Sequence, residues 1–188
     1  MCMKKLWLAV SLASALAAGC ASTPHSGDVL KTAEHVDIEH FMGRWFVVSS
    51  IPNSEESGRV GPYVEYAQLS DHRIDQTYYF HQTDFDHPLE KKHDIAKIVD
   101  MQSNAIWKTN FGQALGADFR ILFVDPEYRY AVIGRPSRDY AWILARDKYI
   151  GDYDYQMLVS VLSEQGFDPT RVMKIPPREE FMGIPGYQ

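Results

Sequence analysis

Residue chemistry in this chain is concentrated at a few positions. Cys20 follows Gly19 at the end of an apolar stretch over residues 6–18, and Cys2 is the second cysteine of the chain. His81, His87 and His93 recur every six residues with Asp84, Asp86 and Asp94 nearby, which are metal-ligand residue types. Pro88 breaks the run, so they do not keep a common face, and the plainer reading is solvated loop residues near one end of the fold. Arg135 and Arg138 have the chemistry to meet a carboxylate or phosphate, although arginines in turns are common. No Gly-x-Ser-x-Gly elbow, phosphate-binding glycine loop or His-Glu-x-x-His pair occurs. Strand parity puts no pair of carboxylates on one inward face, which argues against acid–base catalysis, and neither a metal nor a cofactor is expected.

Lys4 and Lys5 precede the apolar stretch, and small residues end it, which is the pattern of an export signal over residues 1–19. The stretch is too short for a permanent span, which needs about 20 apolar residues. Leu16-Ala17-Ala18-Gly19-Cys20 resembles the bacterial lipobox, with Ala17 where a larger aliphatic residue usually stands. It implies cleavage before Cys20 and a lipid anchor; the alternative is an ordinary secretory cut at a nearby small residue. Acyl chains there would anchor the protein at about 0.8 kcal/mol per buried methylene. Ala21 after the cysteine, rather than Asp, is similar to the sorting signal for the outer membrane.

The 19 Lys+Arg against 25 Asp+Glu give a net charge of −6, and removing Lys4 and Lys5 makes the remainder more acidic. Without a dense basic cluster, nucleic acid is not an expected partner. With Cys2 removed and Cys20 acylated, no thiol remains for a disulfide or a nucleophile, so a core must hold the fold. Hydrophobic residues at 45% and aromatics at 13% supply one, or line a cavity.

Residues 21–33, rich in Ser, Thr, Pro and Gly, read as a flexible tether, so that 20–35 is lipidated cysteine plus linker. Folding is expected to begin near Val36, with Asp37 capping one helical turn that Gly43 ends. β-rich runs then follow at 44–51, 63–69, 74–82, 91–99, 104–109, 117–124, 128–134 and 140–146, separated by turn residues. In the third, Ile74, Gln76, Tyr78 and Phe80 share a side. Short links between these runs suit an all-β, eight-stranded antiparallel up-and-down barrel, which also removes open sheet edges. From Asp152, read as an N-cap, to Glu164 the period changes to that of a helix, with Tyr155, Leu158, Val159 and Leu162 on one stripe. One C-terminal α-helix packed outside the barrel is expected, followed by an extended tail over 178–188. Phe181, Met182 and Ile184 could cover the barrel, form a homodimer contact or stay loose.

Three segments carry a family resemblance. Phe41-Met42-Gly43-Arg44-Trp45-Phe46 holds a Gly-x-Trp; Asp125-Pro126-Glu127-Tyr128-Arg129 sits in the turn between the sixth and seventh runs; Tyr140-Ala141-Trp142-Ile143-Leu144-Ala145-Arg146 ends on an arginine. In this order, residues 36–177 resemble the lipocalins, in particular the bacterial outer-membrane lipocalins similar to apolipoprotein D. Phe46-Val47 departs from the Tyr-Glu that relatives often carry there. The resemblance implies that Gly43, Trp45 and Arg146 close one end of the barrel, the guanidinium lying on the indole. It also implies binding of small hydrophobic ligands, here fatty acids or lysophospholipids, at the periplasmic face of the outer membrane.

Parity nominates the lining. With Trp45 inward, Val47, Ser49 and Ile51 follow; Tyr140, Trp142 and Leu144 share the side of Arg146. The family register places Tyr128, Tyr130 and Val132 inward with Arg129 and Arg135 outward, and outward Arg120 implies inward Phe119, Ile121 and Phe123. The ligand-binding candidates are therefore Trp142, Tyr130, Phe119, Tyr78, Tyr140, Val132 and Ile121. Such aromatics either surround a ligand or simply fill the barrel, because small eight-stranded barrels do both. The filled barrel corresponds to a structural or adaptor envelope lipoprotein, and the least favoured alternative is a lipocalin-type enzyme with an acid or base in the barrel.

Overall fold

The computed structural model describes residues 29–110 and 117–187. Cys20, the leader and most of the proposed tether lie outside the described residues. Helix α1 (Ile38–Phe41) is a single turn capped by Asp37, whose side chain accepts from the His40 amide at 3.1 Å. Gly43, at φ +89, then turns the chain into β1 (Gly43–Ile51). Strands β2 (Arg59–Ser70), β3 (Arg73–Gln82), β4 (Leu89–Ile98), β5 (Ile106–Thr109), β6 (Ala117–Val124), β7 (Tyr130–Gly134) and β8 (Ala141–Ala145) follow. Each pairs antiparallel with the next, and β1 pairs with both β8 and β2, which closes an eight-stranded barrel.

β1 pairs with β2 from Gly43↔Tyr66 as far as Phe46↔Tyr63. Beyond that point the chain after the helix fills the gap. A short strand β9 (Met173–Lys174) pairs with Ser49 and Ser50, and its continuation joins both walls through Ile175 N–H to Val48 O at 3.0 Å and Gly61 N–H to Pro176 O at 3.0 Å. The Ser49 hydroxyl donates to Met173 O at 2.6 Å.

Two apolar cores result. One fills the barrel and contains Trp45, Tyr66, Tyr78, Trp107, Phe119, Tyr140 and Trp142. The other lies between the barrel wall and helix α2 (Asp152–Glu164), with Leu158 and Leu162 buried against Val132, Ile143 and Phe167. Asp152 opens the helix as its first residue rather than capping it; Gly151 holds the cap position, with no side-chain cap bond.

Several expectations are corrected by this packing. The stretch after residue 29 is not a loose tether. Leu30 is buried in the outer core, Lys31 N–H donates to the Gln165 side chain at 3.0 Å, and Ala33 N–H donates to Ile121 O at 2.9 Å. The tail is not extended either. A 3-10 turn at Glu179–Phe181 brings the Phe181 ring to 5.7 Å from Tyr149 and 5.5 Å from Tyr187, and Lys174 N–H donates to Gly186 O at 3.2 Å.

Candidate functional site

One end of the barrel is sealed. The Arg146 guanidinium lies 3.8 Å from the centroid of the Trp45 ring and donates to the carbonyls of Arg44 at 2.7 Å, His40 at 2.8 Å and Met42 at 2.9 Å. Trp45 Nε1 in turn donates to Phe41 O at 2.8 Å. An arginine does this well because its planar face meets the ring while its edge carries five donors. Desolvation holds its pKa below the usual arginine value.

Above this floor, Phe41, Tyr66 and Trp107 meet at centroid distances of 5.5 Å, edge-on at Trp107. Next comes a polar patch on the wall. Gln76 donates to Thr109 and to Asp94, and Asp94 also accepts from Asn110 N–H at 2.7 Å and the Thr109 hydroxyl at 2.8 Å. Partial burial raises the Asp94 carboxyl, and these donors outweigh it, leaving the pKa below its usual value. Trp142 stands across from the patch, stacked on Tyr78 at 5.3 Å and edge-on to Phe119 at 6.1 Å. The remaining space among Phe41, Tyr66, Gln76, Trp107, Phe119 and Trp142 is a cavity of about 10 Å³, room for one water. In this state the aromatic rings fill the barrel.

The other end is closed by the β1–β2 connection, which folds inward. Asn53 Oδ1 accepts from the amides of Glu55 and Glu56 at 2.8 and 3.0 Å, and this tight turn aims Glu56 into the barrel. There the Glu56 carboxylate accepts from the Tyr140 hydroxyl at 2.6 and 2.7 Å and from Trp142 Nε1 at 3.1 Å. Arg59 Nη1 is 3.8 Å from Glu56 Oε1, and the guanidinium carbon sits 3.9 Å from the Phe80 ring centroid. The two charged side chains are only 8% and 6% exposed. Burial pushes the Glu56 carboxyl above its ordinary pKa, against the pull of Tyr140, Trp142 and Arg59. Burial, and then the Glu56 charge, push the Tyr140 hydroxyl well above its own.

Of the residues nominated from sequence, Trp142, Phe119, Tyr78, Tyr140 and Ile121 come together inside the barrel, and Gln76 joins them as the parity of its strand requires. Tyr130 and Val132 do not. β7 pairs Ile133 with Trp142 and Ala131 with Leu144, so those residues face inward and their neighbours face α2. Val132 is buried in the outer core, and the Tyr130 hydroxyl donates to Asp154 of the helix at 3.0 Å. Arg129 precedes the strand, next to Tyr128 at φ +54, so its outward direction says nothing about strand parity. Ile51 and Phe123 also lie on the helix side, because bulges at Val47/Ser49 and at Ile121/Phe123 reverse the alternation. Tyr128 lies outside the strand, its hydroxyl accepting from Asp37 N–H at 2.7 Å.

Arg138 is committed to the fold, donating to Gln165 O at 2.7 Å. Among the described residues, no group of three or more His, Cys, Asp or Glu comes together as a metal site. His81 instead contacts the His87 carbonyl at 2.7 Å, and His93 pairs with Asp75 at 3.1 Å. Sequence reasoning missed Glu56 and Arg59, which lie outside any periodic run. The available signal was an acid and an arginine three residues apart, flanking Gly58 where the turn enters β2.

A family profile for a lipocalin-like domain matches residues 36–177. The chain is 26% identical to temperature-induced lipocalin-1 of Arabidopsis thaliana over 78% of this chain and 82% of that one. It is 25% identical to outer membrane lipoprotein Blc of Citrobacter freundii, over 88% and 93%. Among solved structures, insecticyanin from the tobacco hornworm Manduca sexta superposes with a TM-score of 0.64 at 18% identity, covering 85% of this chain and 89% of that one.

Proposed function

The chain belongs to the lipocalin-like family, and from that premise we propose that it binds one small hydrophobic ligand, a fatty acid or lysophospholipid, inside its barrel. We place it in a bacterial envelope, tethered through Cys20 at the periplasmic face of the outer membrane. The observation that carries the reading is the asymmetry of the barrel's two ends. The Trp45–Arg146 end is stitched by stacking and by several bonds to backbone. At the opposite end, among the described residues, a short turn between β1 and β2 reaches into the interior through the Glu56 side chain.

Ligand pockets of this kind hold about 300–1,000 Å³, so the rings of Phe119, Tyr78 and Trp142 must give way when the turn lifts. Burying an acyl chain at about 25 cal/mol per Å² supplies the affinity that offsets this rearrangement. The bacterial relatives named outer membrane lipoproteins, together with the lipobox-like segment ending at Cys20, support the placement.

Extraction of lipid from the purified soluble domain, followed by titration with a fluorescent fatty acid, tests the reading. We expect saturable binding of one ligand per chain. A well-folded protein that carries no lipid and shows no saturable binding contradicts it. The cavity of about 10 Å³ favours a second reading, a filled-barrel structural lipoprotein, and that outcome would establish it.

A further inference from the structure

The interior of an apolar barrel is a costly place for a carboxylate. Glu56 is nonetheless held there by two neutral donors and by a guanidinium that is itself buried against Phe80 and, at 5.6 Å, Tyr78. A buried ion pair contributes little net stability compared with apolar packing of the same volume, so its retention calls for another explanation. Two details supply one. Arg59 Nε is buried with no hydrogen-bond partner among the described residues, so Glu56 leaves the cation incompletely satisfied. Glu56 also reaches this position from a connecting turn, not from the barrel wall.

We propose that Arg59, Tyr140 and Trp142 form the head-group seat of the barrel for a carboxylate-headed amphiphile, and that Glu56 is the seat's internal occupant, displaced when the ligand's carboxylate arrives. The proposal rests on the binding reading above and names the head group that reading leaves open. The exchange is balanced in charge: one carboxylate leaves for water as another takes its donors, and Arg59 is never left alone. A neutral head would strand the buried guanidinium, which is strongly unfavourable.

The turn is built to leave as a unit. Within it the amides of Glu55, Glu56 and Ser57 donate to Asn53, and it ends at Gly58, at φ +82. Holds on its outer side include the Glu55–Lys92 pair at 3.0 Å, both partly exposed, and the bond from Thr83 N–H to Gly58 O at 3.1 Å. The acyl chain then runs down past Trp142 and Phe119 toward Gln76.

The test measures displacement of a neutral fluorescent dye by three probes: hexadecanoate, hexadecan-1-ol and a palmitoyl lysophosphatidylcholine. Wild type, Glu56→Gln, Glu56→Asp and Arg59→Met are compared. Glu56→Gln should bind hexadecanoate at least tenfold more tightly than wild type, with the other two probes changed less than threefold. Glu56→Asp keeps the charge beside Arg59, and hence the fold, but is too short to satisfy both donors; it should shift in the same direction by a smaller factor. Arg59→Met should lose the preference for hexadecanoate over the alcohol. The proposal is overturned if the removal of Glu56 leaves the ratios among the probes unchanged, or if the lysophospholipid gains most. Failure of all three probes to bind any folded variant instead overturns the binding reading itself.

Discussion

Arg146 and Trp45, far apart in the chain, form one closure: the guanidinium stacks at 3.8 Å on the indole while its nitrogens hold the carbonyls that helix α1 and the start of β1 leave free. The pair ties the first strand to the end of the last, where the cylinder has to shut. Arg146→Ala removes the stack and strands those carbonyls, at a cost of about 2–3 kcal/mol. Thermal unfolding should show Tm falling by about 4–12 °C. Ligand preference should be unchanged, because this end does not touch the proposed seat. Lost binding at an unchanged Tm would contradict the assignment to closure.

Tyr130 marks the outer core. Tyr130→Phe removes one hydrogen bond to Asp154, worth about 1 kcal/mol, and should lower stability by that amount without altering any binding isotherm. Ile133→Ala, the inward neighbour on the other face, should cost about 2–5 kcal/mol and also enlarge the space beside Trp142. Denaturant unfolding measures both. Altered binding from Tyr130→Phe with none from Ile133→Ala would show that β7 faces the other way.

The contrast between these residues shows how far the sequence could be read. Ile74, Gln76, Tyr78 and Phe80 were legible because β3 alternates without a break from one turn to the next. The alternation fails at Ile51 and Phe123 because an added residue in the ladder reverses every side chain beyond it, and no residue type announces that. Helix α2 was legible over its whole length from its apolar stripe. Glu56 was not: its role depends on a turn folding inward, and periodicity does not reach into turns.

The folded unit begins before Val36. A chain starting there lacks Leu30 and the bonds of Lys31 and Ala33, and exposes part of the outer core beside α2. Burial of a leucine side chain is worth about 1.5–3 kcal/mol, so such a chain should unfold at correspondingly lower urea than one starting at residue 29. Identical midpoints would return these residues to the tether.

The pH dependence of stability isolates Glu56. Its pKa is raised on folding, so the native state holds the proton more tightly than the unfolded chain. Its contribution is therefore complete below the ordinary glutamate pKa and is lost as pH rises through the higher folded value. Asp37, Asp84, Asp94, Asp100 and Asp168 are shifted down and act in the opposite sense, destabilising the protein as pH falls. Comparison of wild type with Glu56→Gln cancels those terms. Relative to the variant, wild type should lose stability as pH is raised from about the ordinary glutamate pKa upward. Arg59, Lys92, Tyr78 and Tyr140 surround the group and remain in both proteins. A difference that does not vary with pH would mean that Glu56 keeps its ordinary pKa.

On binding, the filled barrel is expected to open and admit an acyl chain alongside Trp142 and Trp107. Titration with a fatty acid brominated along its chain tests this directly, because bromine quenches indole fluorescence only at contact. Saturable quenching at one equivalent is expected, reversed by excess unbrominated acid and reduced in Trp142→Phe. Unquenched fluorescence at saturating acid, from a protein whose near-ultraviolet dichroism shows a native core, would contradict it and leave the barrel a plug.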